Sequence, residues 1–265
     1  MRTANIIKIL KKNGYNATVD IITKCGKDLR AIVVGEVPVR MVFYIDDFYG
    51  EPDIKVAEYI MEKVNTTEIP DINSTEIINW DFVKENIRVG LRPITNDKDT
   101  VTRRFLDLEE YCYYPIIDRG IIKINQPLLE YFGIPESQMF KIAEANTAAE
   151  AKAQSIFDAM CDLLGEEVPC CYDFPPMFMV SNKEKYLGAG AMTCVKAFET
   201  ICEKLRVDVI KVIPSSIHEL LVVPAGVIGD DEMAATICIA NDTSLLDGEY
   251  LGNHPYTFIK GKGFV

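Results

Sequence analysis

The sequence predicts an α+β fold: mostly antiparallel sheets with helices packed on them. Three observations predict it. Short polar turns join apolar runs at Gly26-Lys27-Asp28, at Asp118-Arg119-Gly120 and across 214–219, the pattern of strands that fold back on their neighbours. Other stretches carry apolar residues at spacings of three and four, which is helical. The last hundred residues run strand, helix, two strands, helix, strand, an order suited to a sheet with helices laid against it.

The elements follow in order. Residues 3–13 read as a helix ended by Asn13-Gly14, glycine being the residue that takes a left-handed cap most easily. Residues 15–25 alternate, with Ala17, Val19 and Ile21 on one side and Asn16, Thr18 and Asp20 on the other, so a half-buried strand is expected. Strands at 29–34 and 38–44 complete a meander. Pro52 opens a helix to about residue 63, with Ile54, Ala57, Tyr59, Ile60 and Val64 as its apolar set. A polar, turn-rich stretch leads to a helix over 74–85 that carries Trp80, the single tryptophan. Residues 87–94 and 106–117 read as strands, and 121–124 closes a hairpin. Asn125-Gln126-Pro127 starts a helix that Gly133 ends, and Pro135 opens the next. A helix over 148–164 presents Ala153, Ile156, Phe157, Met160, Leu163 and Leu164, with Gly165 just beyond it.

Three prolines and adjacent cysteines then suggest a linker. The expected organisation is an N-terminal α+β region over 1–164, a linker at 165–176 and a C-terminal region over 177–265. In the last region a strand at 177–180 precedes Gly188-Ala189-Gly190. A helix follows whose one face holds Ala191, Cys194, Val195, Phe198, Ile201, Cys202 and Leu205. Strands at 207–213 and 219–223 should pair as neighbours. Asp230-Asp231-Glu232 start a helix, where carboxylates suit the positive end of its dipole, and 254–259 is a final strand.

With 265 residues and 48% hydrophobic content, the chain is long enough for a sizeable core. The net charge is −12, spread as −2 over 1–90 (12 basic, 14 acidic), −4 over 91–164 (8 and 12) and −6 over 165–265 (8 and 14). No basic footprint for the nucleic-acid phosphate backbone is present, so direct binding of that kind is not expected. No apolar run reaches the ~20 residues that span a bilayer. No signal peptide is read at the start, and the eight cysteines lack any Cys-x-x-Cys pair, so a cytoplasmic protein with reduced thiols is expected. Most of the cysteines should be buried as small hydrophobes; Cys170-Cys171 are the remote redox candidates.

Four segments are candidates for chemistry. Ser216, His218 and Glu219 bring a hydroxyl, an imidazole and a carboxylate within four residues. In extended chain Ser216 and His218 share a face while Glu219 points away, so a catalytic triad is not formed locally. The favoured reading is a turn in which the serine hydroxyl bonds the nearby backbone and the histidine tip satisfies a buried carbonyl. If the protein is an enzyme, His218 is the acid or base and Ser216 and Glu219 its companions. The carboxylates of 46–53 match no calcium loop and read as a solvated turn before a helix, with Phe48 and Tyr49 stapling it to the core. Gly188-Ala189-Gly190 before a helix is an incomplete phosphate turn, Thr193 standing where a third glycine belongs. His218 and His254 are too few for a histidine-rich metal site. No cofactor and no metal are expected.

Three pieces carry a resemblance: residues 178–189, residues 213–224, and Asn241-Asp242 with a later aromatic strand at Tyr256. Together they resemble the bacterial family catalogued as domain of unknown function 5688. A weaker likeness, in element order alone, is to domain of unknown function 1444. The resemblance implies an intracellular bacterial protein of α+β fold and implies no reaction. With no complete catalytic motif, metal cluster or cofactor fingerprint in the sequence, a non-enzymatic cytosolic protein that binds a protein partner is the first expectation. A small hydrolase or transferase using His218 is the second. An acidic inhibitor that mimics nucleic acid is a special case of the first.

Overall fold

The chain divides into two units, Met1–Ile72 and Asn73–Val265. The computed structural model describes residues 2–24, 27–36, 39–67, 78–95, 97, 99–116, 120–165, 176–245 and 248–265.

In the first unit, α1 (Arg2–Lys12) ends where glycine permits it: Gly14 lies at φ 89°, and the Tyr15 amide returns to the Leu10 carbonyl. Strands β1 (Ala17–Lys24), β2 (Lys27–Glu36) and β3 (Val39–Tyr44) form an antiparallel meander in that order. A 3-10 turn (Ile45–Phe48) leads into α2 (Asp53–Thr66). Ile6 and Leu10 of α1 and Val56 and Ile60 of α2 bury Ile32 and Val34 of β2, so both helices cover one sheet face. The alternation at 17–21 does make a strand, but only Ala17 reaches this core, and Ile21 is 65% exposed.

The second unit begins with α3 (Trp80–Asn86), where the Asn79 side chain accepts from the Asp81 amide; the first part of the helix expected over 74–85 lies outside the described residues. Strands β4 (Arg88–Pro93), β5 (Thr102–Phe105), β6 (Leu108–Pro115) and β7 (Ile121–Lys123) form a four-stranded antiparallel sheet centred on β6. The strand expected over 106–117 is thus corrected: residues 106 and 107 are the two-residue turn of a β5–β6 hairpin. Leu106 holds this turn at φ 54°, a conformation its side chain gives no hint of. Seven of the eight β6 residues are buried. Glu109 and Glu110 tolerate burial because Arg92 Nε reaches Glu109 at 2.6 Å and Arg103 Nε reaches Glu110 at 2.7 Å.

Helices α4 (Gln126–Phe132) and α5 (Glu136–Glu150) pack on this sheet through Leu129, Met139, Phe140 and Ala143. The Asn125 side chain caps α4, and Gly133 ends it at φ 62°. The helix expected over 148–164 is split. Helix α5 stops at Glu150, residues 152–155 form β8 (Lys152–Ser155), and α6 (Ile156–Leu164) starts afresh with Ser155 capping the Asp158 amide. Pairing of β8 with β9 (Phe178–Ser181) overrides the helical pattern. Residues 166–175, most of the expected linker, lie outside the described residues; β8 before them and β9 after them share one sheet.

That second sheet has the order β13-β12-β10-β11-β9-β8, with β10 (Val209–Ile213), β11 (Leu220–Pro224), β12 (Tyr256–Ile259) and β13 (Gly263–Phe264). Strands β10 and β11 pair antiparallel, Val212 opposite Val222. A 3-10 turn (Gly188–Thr193) precedes α7 (Val195–Leu205), and α8 (Asp230–Ser244) follows β11. The single helical face expected from 191 to 205 is therefore broken at Cys194. Phe198, Ile201 and Cys202 face the core, whereas Val195 is exposed. The sheet's core face joins Ile210, Val212, Leu220, Val222 and Phe258 to Leu91 and Leu108, so the two sheets of this unit share one core. Each such fully buried side chain contributes about 1.5–3 kcal/mol. Among the described residues no helix is long and apolar enough to cross a membrane.

Candidate functional site

His218 lies between β10 and β11 in the turn that the sequence suggested. The Ser216 hydroxyl accepts from the His218 amide at 3.0 Å, and the Ser216 amide donates to the Glu219 carbonyl at 3.2 Å. The serine is buried and serves its own backbone. The carboxylate beside the ring is not that of Glu219. It is Glu249, with Oε1 3.4 Å from His218 Nε2. Ser216, His218 and Glu219 therefore form a turn and not a triad.

The other ring nitrogen is engaged as well. Nδ1 accepts a hydrogen bond from the Leu187 amide at 3.0 Å. An acceptor at Nδ1 puts the ring proton of the neutral form on Nε2, facing Glu249. Tyr186 stacks on the imidazole, with centroids 5.1 Å apart and planes 25° apart. The His218 side chain keeps 21% of its surface exposed.

The loop that supplies Tyr186 and Leu187 is tightly built. Asn182 binds both backbone groups of Tyr186: its Nδ2 donates to the carbonyl at 2.7 Å and its Oδ1 accepts from the amide at 3.1 Å. Lys185 and Leu187 adopt φ 51° and 53°, which non-glycine residues rarely do. The Ser181 hydroxyl donates to the His218 carbonyl at 2.7 Å, and the Ala189 amide donates to the Ile217 carbonyl at 3.2 Å. Loops 182–187 and 214–219 are thus clasped by side chains and main chain together. The Ile217 amide extends the clasp to the Glu249 carbonyl at 2.9 Å.

Beneath the clasp lie Tyr111 and Tyr113 of β6, buried against Leu187. Burial pushes the Tyr113 hydroxyl well above the ordinary phenol range, while the Arg88 guanidinium works the other way. Arg88 lies opposite Tyr113 on β4 and is held by Glu150 through two hydrogen bonds, one of them 2.7 Å.

Gly188-Ala189-Gly190 is not a phosphate cradle. All three residues are buried. A Cβ at Gly188 would fall 2.2 Å from Ser181 Oγ and 2.7 Å from the His218 carbonyl oxygen. At Gly190 it would fall 1.8 Å from the Val89 carbonyl oxygen. The glycines are there for close approach of backbone to backbone.

The second histidine is elsewhere in the fold. His254 Nε2 lies 2.8 Å from Asp107 Oδ2, the Tyr256 hydroxyl donates to Asp107 Oδ1 at 2.8 Å, and His254 Nδ1 is 3.2 Å from the Pro255 carbonyl. The Asp107 hydrogen bond raises the His254 pKa above its ordinary value. Burial works to raise the Asp107 carboxyl, but its bonds from His254 and Tyr256 outweigh that and hold it low. Among the described residues no group of three or more His, Cys, Asp or Glu is arranged to hold a metal ion. The acidic stretch 46–53 is held by Arg2, which bonds the Phe48 and Glu51 carbonyls and meets Asp53 at 3.3 Å. Phe48 joins the core as expected, but Tyr49 does not: it points to solvent. Cys112 and Cys202 are buried, Cys238 is exposed, and Cys170-Cys171 lie outside the described residues.

Sequence reasoning found His218 and its turn but missed Leu187, Tyr186 and Glu249. Nothing in the local pattern marks Leu187 or Glu249; only the resemblance carried by residues 178–189 pointed to this loop.

Fold and site define an α+β protein in which a histidine-bearing turn is clasped to a glycine-rich loop. The segments that carried the resemblance meet here: 178–189 and 213–224 form the clasp, and Asn241 fixes the Gly252 carbonyl at 2.9 Å in the stretch that supplies Glu249. The chain belongs to the family of unknown function DUF5688, whose model matches residues 3–260. The weaker likeness to domain of unknown function 1444 is not supported by a match. No curated protein and no solved structure matches the chain.

Proposed function

We propose that this is a cytoplasmic bacterial protein that acts by binding a protein partner, not by catalysis. One observation carries the reading: the first unit exposes large apolar side chains close together in sequence, with Tyr49 at 94%, Ile54 at 58% and Tyr59 at 44%. Aromatic residues of this kind are enriched at protein interfaces, and water around them is released on contact. The His218 cluster supports the reading from the other side. A general base needs a free lone pair, and the lone pair of Nδ1 already accepts from Leu187. The free thiols of Cys112, Cys194, Cys202 and Cys238 fit a reducing compartment.

The hydrolase or transferase alternative keeps one supporting observation. Glu249 stands behind Nε2 as an orienting carboxylate stands behind a catalytic histidine. That mechanism requires the Leu187 bond to open first. The acidic-mimic reading has less support, because Glu109, Glu110, Glu144 and Glu150 are engaged by arginines of the same unit.

Three measurements test the proposal. Full-length protein is photo-crosslinked in cells through a probe at Tyr49; a defined stoichiometric partner is expected. Purified protein is assayed on ester, amide and phosphoester substrates; turnover that His218→Asn abolishes without changing the melting temperature would reverse the conclusion. Recovery of the protein outside the cytoplasmic fraction would reject its placement.

A further inference from the structure

We infer that the groove between β3 and α2 receives an extended peptide carrying a lysine or arginine, laid along the edge of β3 that faces away from β2. This deepens the binding reading and rests on it. The groove has a volume of about 640 Å³. Phe43, Phe48, Val56 and Tyr59 give it apolar walls, and Asp47 and Glu51 stand at its rim.

Three features choose the occupant. The first is the strand edge. Among the described residues β3 pairs with β2 alone, so alternate N–H and C=O groups of 39–43 face away from β2 with no described strand beside them. An added strand satisfies such groups, and a helix does not. Added strands place alternate side chains on one face, so one side chain of the peptide enters the groove.

The second feature is charge. The Asp47 and Glu51 carboxylates hold no hydrogen bond and no ion pair within the described residues, unlike Asp53 close by, which is taken by Arg2. Among the described residues lining the groove Lys55 is the one cation, and Arg2 close by is committed to Asp53 and to the Phe48 and Glu51 carbonyls. A cationic side chain balances the remainder. The net charge of −12 also draws a basic segment in from a distance.

The third feature is the aromatic lining. Phe48 and Tyr59 meet edge to face with centroids 5.5 Å apart, and Phe43 adds a third ring. Ring faces attract cations, and the aliphatic stem of lysine or arginine fills apolar space beside them. Lys63 sits 5.5 Å from the Tyr59 centroid, so that ring is already engaged by a cation and Phe43 and Phe48 are the rings left for the peptide's side chain.

The test uses full-length protein and a fluorescent octapeptide, Thr-Val-Thr-Arg-Thr-Val-Thr-Ser, followed by anisotropy. Binding is expected, weakening at least about tenfold when the peptide arginine becomes glutamine. It should weaken similarly in the Asp47→Asn, Glu51→Gln double variant, and on raising ionic strength from about 0.01 to 0.15 M. The double variant should melt like the parent, because neither carboxylate has a partner to lose. A peptide with proline at its third and sixth positions should not bind, since one of the two removes a ladder donor whichever side faces β3. Absence of binding, equal binding of the glutamine peptide, or binding unaffected by the double variant each overturns the assignment. So does a homodimer in solution that Val42→Lys dissociates, because a second copy would then own the edge. These failures leave partner binding elsewhere intact, whereas turnover dependent on His218 defeats the binding reading whatever the groove does.

Discussion

The main-chain amide of Leu187 donates to Nδ1 of His218 at 3.0 Å, across 31 residues of sequence. The bond fixes a left-handed leucine, orients an imidazole and ties two loops together. Its consequence for function is that the imidazole lone pair is occupied in the folded protein.

Replacing His218 with alanine should cost about 1–3 kcal/mol, the penalty for buried groups left unpaired. The asparagine variant should recover part of that loss, because its Oδ1 can accept from Leu187 where Nδ1 did. Urea unfolding of the three proteins is the measurement. An unchanged midpoint for His218→Ala would show that the clasp does not contribute.

Gly190→Ala should be the most damaging single methyl in the second unit. The new Cβ would stand 1.8 Å from the Val89 carbonyl oxygen, a main-chain atom of a central pairing that cannot swing aside. A loss of about 3 kcal/mol or more, or failure to fold, is expected. Gly229→Ala is the control, since nothing lies within 4 Å of its added Cβ and its φ is −66°. Equal circular-dichroism melting curves for the two variants would refute the close-approach argument.

Leu106→Asn should stabilise the protein or leave it unchanged despite the smaller side chain. Leu106 is at φ 54° in the β5–β6 turn, and asparagine tolerates that region better than leucine. A gain of up to about 1 kcal/mol is expected, comparable with the cost of a left-handed residue. Marked destabilisation in a urea titration would show that the leucine side chain matters more than its backbone strain.

The His254–Asp107 pair should make stability depend on pH in two windows. The folded His254 pKa is raised above 6.5, so its contribution is full below that value and is lost as pH rises through the raised one. The folded Asp107 pKa is depressed below 3.8, so its contribution is present above 3.8 and is lost as pH falls through the depressed one. Both side chains are near half-exposed, so the effect is screened and modest. The melting difference between parent and His254→Gln should shrink between about pH 6 and pH 8.5. A difference independent of pH over that range would exclude a charged histidine.

Local chemistry made much of the architecture legible. Asn125 and Gly133 cap α4, Gly165 ends α6, and the apolar runs on either side of 214–219 became paired strands, because caps and alternation act within a few residues. Two of the three segments that carried the resemblance, 178–189 and 213–224, are short and continuous, so they could be read without the fold. What the sequence hid depends on contacts between distant positions. Residues 152–155 look helical until β9 offers them a ladder. Leu106 looks like strand interior until the hairpin forces its φ positive and Asp107 is bound by residues almost 150 positions away. Alternation along the chain already pointed Glu219 away from His218, but nothing in the sequence named the carboxylate that the fold brings to the ring, Glu249. By itself the sequence determined the fold class, the strand pair around His218 and the family. Tertiary structure alone decided what His218 touches, because hydrogen-bond partners are chosen by distance in space and by the few directions in which a ring nitrogen can bond.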